Sequence, residues 1–461
     1  MSRDYDVIVI GSGAAGLSAA VSAADAGASV LVVEADKQVG GSSRLSGGHF
    51  YAAGTSIQRE AGIEGDTPQA MYEHYMTLNQ WMVEPSVVRR YCELSAPTFE
   101  WLREQGVEFS SASLYESGVG SVPRGHPPEG GGEAVVQALD AQCSARGVDM
   151  VMDSRVDELL RDDSGRVVGI RIGADEASCG AVVMATGGFG ANPGMYAEHY
   201  PDAATAGNWS WYIGSPMARG DGLKLGQAAG AALDGHNRGL LLVTPGFSRD
   251  LEVLLPGWLI LVNQEGRRFT DETAPYTVLG GLIQRQGGRA FAVFDEAARK
   301  DARRSPVSQA YWVDEILEQK SADGTIAQAD TLEDLASKVE VHPGALIGTI
   351  ERYNADCERG EDSAFFKNPA TGMRAIQKPP FYAVEVRPAI VCWTGTGLRI
   401  NAEACVVGTD ERTISGLYAA GETVGSLHGD RYIGGGGSFG PCIVFGKLAG
   451  ESAASYAAEL A

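Results

Sequence analysis

Apolar and polar positions near the N-terminus follow the pattern of a strand, a turn, a helix and a second strand. Residues 7–10 (Val-Ile-Val-Ile) are apolar on both faces, which is typical of a strand buried in a parallel sheet. The small residues of 17–26 predict a helix that can pack closely on that sheet, and Gly27 ends it. Val30 to Val33 predicts another buried strand, with Glu34 at its carboxyl end.

Three glycines with G-x-G-x-x-G spacing, Gly11, Gly13 and Gly16, join the first strand to the helix. The first permits a tight turn, the second lets a pyrophosphate approach the backbone, and the third allows close packing of helix and strand. The helix N-terminus offers free amides and a partial positive charge to phosphates. Glu34 can accept hydrogen bonds from a ribose and disfavours a 2′-phosphate, and hence NADP. The segment therefore predicts a dinucleotide site.

The rest of the chain alternates between helical and extended patterns. The segments that we predict are a Ser/Gly loop at 39–55, helix over 66–106, a loop at 121–139 that feeds a helix at about Glu133, extended chain at 148–156, a hairpin partner at 166–171, a strand ending in Ala185-Thr186-Gly187-Gly188, a helix within 220–233, strand and turn within 259–283, helices within 330–361, and a C-terminal helix.

Composition excludes several classes of function. The 461 residues suggest two or three domains, and the net charge of −22 argues against nucleic-acid or anionic-membrane partners. The seven cysteines are scattered without a CxxC pair, so we expect neither an iron–sulfur site nor a c-type haem, and reduced thiols in a cytoplasmic protein. The early first strand argues against a signal peptide, and no apolar run reaches membrane-spanning length.

Four motifs together resemble the fumarate reductase/succinate dehydrogenase flavoprotein family. They are the glycine turn with Glu34, the loop GGSSRLSGG at 40–48, the turn ATGG at 185–188 and the segment GLYAAGE at 416–422. The resemblance implies an α/β fold, in which a Rossmann-like FAD-binding domain is interrupted by an α+β catalytic (cap) domain. We expect the FAD-binding domain at 1–207 and 379–461, and the catalytic domain at 208–378.

The same resemblance assigns roles around FAD. Glu34 would hold the adenosine ribose, Val156 would lie near the adenine, and Glu422 would contact the sugar chain of the flavin. No histidine stands where members with covalent flavin carry theirs, so we expect non-covalent FAD. The residues expected to contact the cofactor are Gly11, Gly13, Ala14, Ala15, Gly16, Glu34, Ala35, Gly41, Ser42, Ser43, Ser46, Gly47, Gly48, Val156, Ala185, Thr186, Gly187, Asp221, Gly421, Glu422, Gly437, Ser438 and Ile443.

The catalytic region departs from the dicarboxylate enzymes of the family. Those enzymes carry a proton-donating Arg shortly after an R-F-x-x-E turn, and the corresponding residue here is Tyr276. Their Thr-Glu and His-Thr-x-Gly-Gly ligands correspond to residues 252–258 and 392–397, which instead contribute Leu and Trp side chains. A diacid would find few partners there, and burial of an unpaired carboxylate is costly.

Two other motifs resemble those of 3-ketosteroid dehydrogenases. Residues 431–441 (RYIGGGGSFGP) closely resemble the Tyr-x-Gly-x-Gly-Ser-x-x-Gly-Pro motif, and residues 272–276 resemble the Glu-x-x-Pro-Tyr motif. The Tyr432 hydroxyl and the Gly436 amide, which we expect at a helix start, could stabilise an enolate. Tyr276 is the candidate base, because a tyrosine can act if its neighbours favour the phenolate. Tyr115 is the candidate for the family's third, assisting tyrosine.

Several positions leave alternatives open. Gly434 replaces the Ser of the 5α-steroid 4-desaturases, which favours the 1-dehydrogenase pattern. Arg431 could bind a substrate carboxylate, as in an oxocyclohexanecarboxylate, or pair on the surface. His428 is interpreted as structural. Three tryptophans could line an apolar pocket or pack in a core: Trp209, Trp211 and Trp258.

We therefore interpret the chain as an FAD-dependent desaturase of a cyclic 3-oxo substrate, with a 3-ketosteroid favoured. Its partners would be a small apolar cyclic ketone and an unidentified electron acceptor, with no metal. The alternatives are a desaturase of a smaller ketone such as 4-oxocyclohexanecarboxylate, an alkene reductase of the fumarate or urocanate type, and a non-catalytic flavin-binding protein.

Overall fold

A computed structural model describes residues 3–251, 254–303 and 311–460. The strands in these ranges are, in chain order, β1 Tyr5–Ile10, β2 Val30–Val33, β3 Phe50–Tyr51, β4 Tyr115–Glu116, β5 Pro123–His126, β6 Asp149–Val151, β7 Glu158–Arg161, β8 Val167–Ile172, β9 Asp175–Met184, β10 Trp211–Tyr212, β11 Leu233–Asp234, β12 Gly239–Pro245, β13 Ile260–Val262, β14 Ala290–Asp295, β15 Ala327–Ala329, β16 Phe381–Thr394, β17 Gly397–Leu398, β18 Cys405–Val407 and β19 Thr413–Ala419.

The α-helices of the same ranges include those predicted near Glu133, within 220–233, within 330–361 and at the C-terminus. They are α1 Ala14–Asp25, α2 Ser56–Glu60, α3 Pro68–Leu78, α4 Pro85–Glu104, α5 Gly131–Ala145, α6 Tyr196–His199, α7 Pro201–Thr205, α8 Asp221–Ala228, α9 Tyr276–Gln284, α10 Glu296–Asp301, α11 Asp314–Ala322, α12 Leu332–Lys338, α13 Pro343–Arg359 and α14 Phe439–Glu459. No helix in the described part of the chain has both the length and the apolar composition needed to cross a bilayer.

The chain divides into two compact units, and each is built from separate stretches of sequence. The first unit comprises 1–201, 212–239 and 392–461, and the second comprises 202–211 and 240–391. The boundaries at 208 and 378 were predicted for a catalytic domain, and that domain assignment stays a prediction.

The first unit is organised around a mostly parallel sheet with the order β18-β19-β9-β1-β2-β6. β1 lies between β2 and β9 and is parallel to both, so the carboxyl ends of these three strands meet at one edge. α14 packs against α1 through glycines: a Cβ added to Gly446 would lie 2.3 Å from the Ala15 carbonyl oxygen, and one on Gly450 would lie 2.1 Å from that of Ala19. This close packing explains the small residues of both helices.

A smaller antiparallel sheet, β3-β5-β4, belongs to the same unit. Tyr51 of β3 and Tyr115 of β4 are both paired with Gly125 of β5. A Cβ added to Gly125 would lie 2.6 Å from the Tyr115 ring, so only glycine fits beneath that ring. The sheet thus fixes the place of Tyr115 relative to the residues of β3.

The predicted helix over 66–106 is wrong in one respect, because the structure has two helices separated by residues 79–84. Asn79 ends α3, and the next two residues, Gln80 and Trp81, have φ of +52° and +58°. Glu84 then caps α4, whose first residue is Pro85. Proline is well suited to the first helical position, and left-handed residues end a helix, so the boundary has a local cause.

The second unit contains an antiparallel sheet with apolar clusters on both faces. β14 pairs with β13 on one side and with β16 on the other, and β15 also pairs with β16. One cluster includes Trp312, Phe294 and Leu317, and the other includes Phe291, Tyr353 and Leu346. Alternate residues of β14 thus face opposite clusters, as the period of a strand requires.

Candidate active site and cofactor groove

The turn after β1 has the shape that its glycines predict. Gly11 has φ of +103°, and a Cβ there would lie 2.4 Å from the Ala185 carbonyl oxygen. A Cβ on Gly16 would lie 1.9 Å from the Gly11 carbonyl oxygen, which shows how closely α1 approaches the turn. Gly13 has ordinary backbone angles, and a Cβ added there would lie 3.4 Å from Ser43 Oγ, which accepts a 3.0 Å hydrogen bond from the Ala14 amide.

Glu34 is buried at the carboxyl end of β2, and the chain itself holds its carboxylate in place. Oε2 accepts hydrogen bonds from the Ser12 amide at 2.8 Å and the Ser12 hydroxyl at 2.6 Å, while Oε1 accepts one from the Asp36 amide at 2.7 Å. These donors fix the orientation of the carboxylate before any ligand binds. Such pre-organisation suits a residue that recognises a ribose.

Two adjoining cavities of the first unit share Ser42, Ser43, Gly421, Glu422 and Cys442 as walls, and together they form a groove. The end that starts at the glycine turn is lined by the predicted residues Gly11, Gly13, Ala14, Ala15, Glu34, Ala35, Gly41, Ser42, Ser43, Val156, Ala185, Thr186, Gly187, Asp221, Gly421 and Glu422. Ser46 and Ser438 line the other end. Most of the predicted cofactor residues therefore share one groove.

Five predicted cofactor residues do not line the groove. Gly16 faces the glycine turn, Gly47 lies against the His49 ring, and Gly48 faces α5, where an added Cβ would lie 2.5 Å from the Gly132 amide. Gly437 faces the Ile433 side chain, and Ile443 is fully buried in α14. These positions support the walls of the groove through their packing.

Sequence reasoning missed part of the glycine-turn end. Arg155 and Met217 line it, and the Arg155 guanidinium forms an ion pair with the Asp221 carboxylate. Burial lowers the pKa of Arg155. The only sequence signal for Arg155 was its place beside Val156, which lies in an extended stretch that carries no motif.

Glu422 lies in the middle of the groove, where the two cavities meet. Its Oε1 accepts hydrogen bonds from the Thr394 amide at 2.8 Å and the Thr394 hydroxyl at 2.9 Å. Burial raises the pKa of Glu422, and the bonds from Thr394 oppose that rise. Since no hydrogen bond to Oε2 occurs among the described residues, this oxygen can accept one from a hydroxyl-bearing ligand.

The far end of the groove is apolar, and the C-terminal tyrosine motif lies beside it. The His428 ring packs at a tilt against Trp393 with centroids 4.3 Å apart, and both residues line the groove. Burial, with a smaller contribution from the charge of Arg238, lowers the pKa of His428 to about 3, so this ring is neutral. A neutral histidine among aromatic rings fits the structural role expected for it.

Tyr432 is 8% exposed, and its hydroxyl is tied to the residue that precedes α14. The Ser438 amide donates a 3.1 Å hydrogen bond to the Tyr432 hydroxyl oxygen, and the Ser438 hydroxyl lies 3.1 Å from the same atom. Burial raises the pKa of Tyr432, so its phenol is protonated at neutral pH. The group is therefore a hydrogen-bond donor rather than a base.

Gly436 lies in the turn between Tyr432 and α14, with φ of +95°. We expected it at a helix start, but the helix begins three residues later, at Phe439. A Cβ on Gly436 would lie 2.7 Å from the Tyr51 amide nitrogen, so this turn packs directly on β3. Within the described residues the Gly436 amide donates no hydrogen bond, which leaves it available to a ligand.

Glu272 and Tyr276 both belong to the second unit. Glu272 is fully buried and accepts hydrogen bonds from Arg268 at 2.9 and 3.0 Å and from Lys367 at 2.9 Å. Tyr276 is the first residue of α9, after Pro275. The motif that contains both residues therefore joins a buried ionic anchor to a helix start.

The tryptophans for which a pocket and a packing role were both open include two whose rings pack against other side chains. Trp258 packs against Phe294, with ring centroids 5.2 Å apart, and Arg387 lies 4.4 Å above the Trp209 ring. Trp211 belongs to β10. Glu252 and Val253, at the position of the dicarboxylate ligands, lie outside the described residues. Among those described, no cluster of His, Cys, Asp and Glu is arranged to hold a metal.

A parallel sheet, a glycine turn aimed at a long groove and a fixed carboxylate after β2 define a dinucleotide-binding protein. A family model described as an FAD binding domain matches residues 6–438, and the chain belongs to this family of fumarate reductase/succinate dehydrogenase flavoproteins. The chain is thus an FAD-dependent oxidoreductase. The family, the fold class and the FAD that the motifs predicted are confirmed.

Three known proteins illustrate the range of the family. The cytochrome-type fumarate reductase of Shewanella frigidimarina is 33% identical over 98% of this chain and 77% of its own. The 4-oxocyclohexanecarboxylate 2-dehydrogenase of Sinomonas cyclohexanicum is 27% identical over 98% of this chain and 93% of its own. The solved structure of 3-ketosteroid Δ4-(5α)-dehydrogenase from Rhodococcus jostii RHA1 is 28% identical, with a TM-score of 0.80 and 98% of each chain covered.

Proposed function

We propose that the chain is an FAD-dependent desaturase that introduces a C=C bond α,β to the keto group of a cyclic 3-oxo substrate, a 3-ketosteroid. The observation that carries this proposal is the buried Tyr432 hydroxyl, which is neutral and held by Ser438 beside the apolar end of the groove. The likeness to the ketosteroid dehydrogenase structure, at 28% identity, supports the same class of substrate.

Tyr432 and Gly436 would act on the ketone oxygen. The Ser438 amide occupies one lone pair of the Tyr432 hydroxyl, and with the Ser438 hydroxyl donating to the same oxygen the O–H proton would be donated to the ketone. The Gly436 amide has no partner among the described residues and would provide a second donor. Two donors on a carbonyl oxygen stabilise the enolate that forms when the α-proton leaves, and one such donor typically contributes 10²- to 10³-fold in rate.

Tyr276 would remove the α-proton, and Tyr115 would assist it. The place of Tyr276 in the Glu-x-x-Pro-Tyr motif supports the assignment, since Glu272 and its cationic partners fix the chain just before α9. The predicted residues of the groove would hold FAD non-covalently, and FAD, when bound, supplies the acceptor for the β-hydride.

The far end of the groove, where Ser46, Glu422 and Ser438 are assigned to FAD, would present apolar walls to a substrate bound beside the flavin. Its walls include Leu45, Trp393, Val424, Leu427 and Phe439, and none of the described residues that line it is an arginine or a lysine. A dicarboxylate would lack a cation there, and burial of an unpaired charge is costly. A small oxo-acid is the second candidate, because the Sinomonas relative acts on one by name and Arg431 adjoins Tyr432.

Anaerobic bleaching of the flavin absorbance tests the proposal. The panel contains a saturated 3-ketosteroid, a 4-ene-3-ketosteroid, 4-oxocyclohexanecarboxylate and succinate, and product analysis identifies the new double bond. Bleaching by a steroid supports the proposal, and bleaching by the oxo-acid alone supports the second candidate. If only succinate bleaches the flavin, or if none of the four does, the desaturase proposal is refuted.

Two tyrosine variants provide the matched comparison. Tyr432→Phe removes the proposed donor, whereas Tyr5→Phe removes an exposed hydroxyl that donates to Asp149 at 2.9 Å. The first should retain FAD and lose about 10²-fold or more in the rate of bleaching. The second should bleach at the wild-type rate.

A further inference from the structure

His49 lies against Tyr115, and no motif had drawn attention to it. The His49 Nδ1 atom is 2.6 Å from the Tyr115 hydroxyl oxygen, a short hydrogen bond. The two rings meet edge to face, with centroids 5.4 Å apart. His49 directly precedes β3, and Tyr115 begins β4, so both partners are held by the same small sheet.

The pair is packed against the turn that carries the proposed carbonyl donors. A Cβ added to Gly436 would lie 2.9 Å from the His49 carbonyl oxygen, and one added to Gly434 would lie 2.5 Å from the Ser117 hydroxyl. Tyr115 is also among the charges that raise the pKa of Tyr432. His49 and Tyr115 thus belong to the same small region as the Tyr432 hydroxyl.

The hydrogen bond between Tyr115 and His49 has a preferred direction, and the second ring nitrogen of His49 is available to water. Phenol is a stronger acid than a neutral imidazole N–H, so Tyr115 donates and Nδ1 accepts. Burial lowers the pKa of His49, which keeps the ring neutral at pH 7 and able to accept. Nε2 then carries the proton. It forms no hydrogen bond within the described residues, and the half-buried ring lies beside the exposed Gly47.

We propose that His49 is the proton relay that connects Tyr115 with solvent. The inference rests on the proposed function, in which each turnover removes one proton and one hydride from the substrate. A proton delivered to the Tyr115 oxygen displaces the hydroxyl proton onto His49 Nδ1, and the Nε2 proton leaves to water. The phenol and the imidazole are both neutral again, and exchange with water restores the original tautomer of the ring.

Chemical rescue separates this relay from a packing role. His49→Ala should retain FAD, lose about 10²-fold in kcat, and regain activity by about tenfold when imidazole is added. The double variant with Tyr115→Phe should not respond to imidazole, because the hydroxyl that needs a proton acceptor is gone. His236→Ala, an exposed histidine whose Nε2 bonds to the Glu198 carbonyl oxygen, is the control and should match the wild type.

A kcat of His49→Ala within about twofold of the wild type, or a loss that imidazole does not restore, would overturn the relay. If the alanine variant does not retain FAD, His49→Asn replaces it, because asparagine can accept the Tyr115 hydrogen bond but cannot pass a proton on. Wild-type kcat in that variant overturns the proposal, and a loss supports it.

The choice of substrate separates the test of the relay from the test of the proposed function. Desaturation and the reverse reduction both move one proton, so rescue is measured with whichever substrate of the panel the wild type converts. Rescue with succinate alone would uphold the relay while the ketone proposal falls. Steroid turnover without rescue would uphold the ketone proposal while the relay falls.

Discussion

Removal of Lys367 should destabilise the second unit severely. Its Nζ lies 2.9 Å from Glu272 Oε2 and 2.9 Å from the Leu259 carbonyl oxygen, and neither charged side chain is exposed. At an effective dielectric constant of about 20, charges at this separation attract by roughly 6 kcal/mol, and desolvation offsets much of it. Lys367→Met keeps the volume and leaves Glu272 short of a partner. Such changes cost about 3–5 kcal/mol.

Thermal and guanidinium unfolding would measure this cost. For a unit of this size, each kcal/mol lowers Tm by about 2–4 °C, so a fall of roughly 6–20 °C is expected. Lys300→Met is the matched control, since Lys300 is 63% exposed and pairs with Glu296 at 3.1 Å. Exposed pairs contribute about 0–1 kcal/mol. A Lys367→Met variant within about 1 kcal/mol of the wild type would refute the reasoning.

The same variant should change how stability depends on pH. Burial raises the pKa of Glu272, but the charges of Lys367 and Arg268 outweigh burial and hold it below its ordinary value. A carboxylate with a lowered folded-state pKa stabilises the protein above its unfolded pKa of about 4.3, and that stability is lost as the pH falls further. The difference in the free energy of unfolding between wild type and Lys367→Met should therefore become smaller as the pH falls below about 4.

Three further predictions concern the flavin-binding unit and the proposed base. Gly13→Val should abolish FAD retention after purification, because Gly13 lines the groove at the glycine turn and a valine side chain would occupy the space where the pyrophosphate approaches the backbone, and a variant with full flavin absorbance would contradict the groove assignment. Tyr276→Phe should retain FAD and lose turnover in the bleaching assay, and wild-type turnover would remove Tyr276 as the base. His428 has a pKa lowered to about 3, so between about pH 6.5 and 3 the unfolded state binds a proton that the folded state does not. The free energy of unfolding should thus decrease as the pH is lowered from about 6.5 to 3. His428→Gln should make this decrease, measured as the urea midpoint at each pH, shallower. An unchanged dependence of the midpoint on pH would count against a buried neutral ring.

The sequence predicted correctly those strands, turns and helices that are determined by the residues within them. The unit β1-turn-α1-β2 is encoded by apolar residues on both faces of two strands and by glycines at fixed spacing, and the structure reproduces it. The break between α3 and α4 is also local, but we overlooked it. Pro85 marked the start of a helix, and its signal was lost within a longer helical pattern.

Long-range pairings could not be read from the chain. β19 joins the central sheet beside β9, although more than 200 residues separate them in sequence, and nothing in either strand specifies the partner. The same holds for Arg155 with Asp221 and for His49 with Tyr115, since each pair joins residues from separate segments. Motifs identified one member of each pair, and only the fold identified the other.

The Glu-x-x-Pro-Tyr motif shows why a matched motif does not assign roles within itself. Glu272 is bound on all sides by Arg268, Lys367 and the Leu261 amide, so it has no capacity left for chemistry. Its function is to fix the chain four residues before Tyr276, at the start of α9. Glu272→Gln should therefore lower the stability of the unit, whereas Tyr276→Phe should affect turnover. If Glu272→Gln instead lost turnover at wild-type stability, the anchor would be part of the reaction.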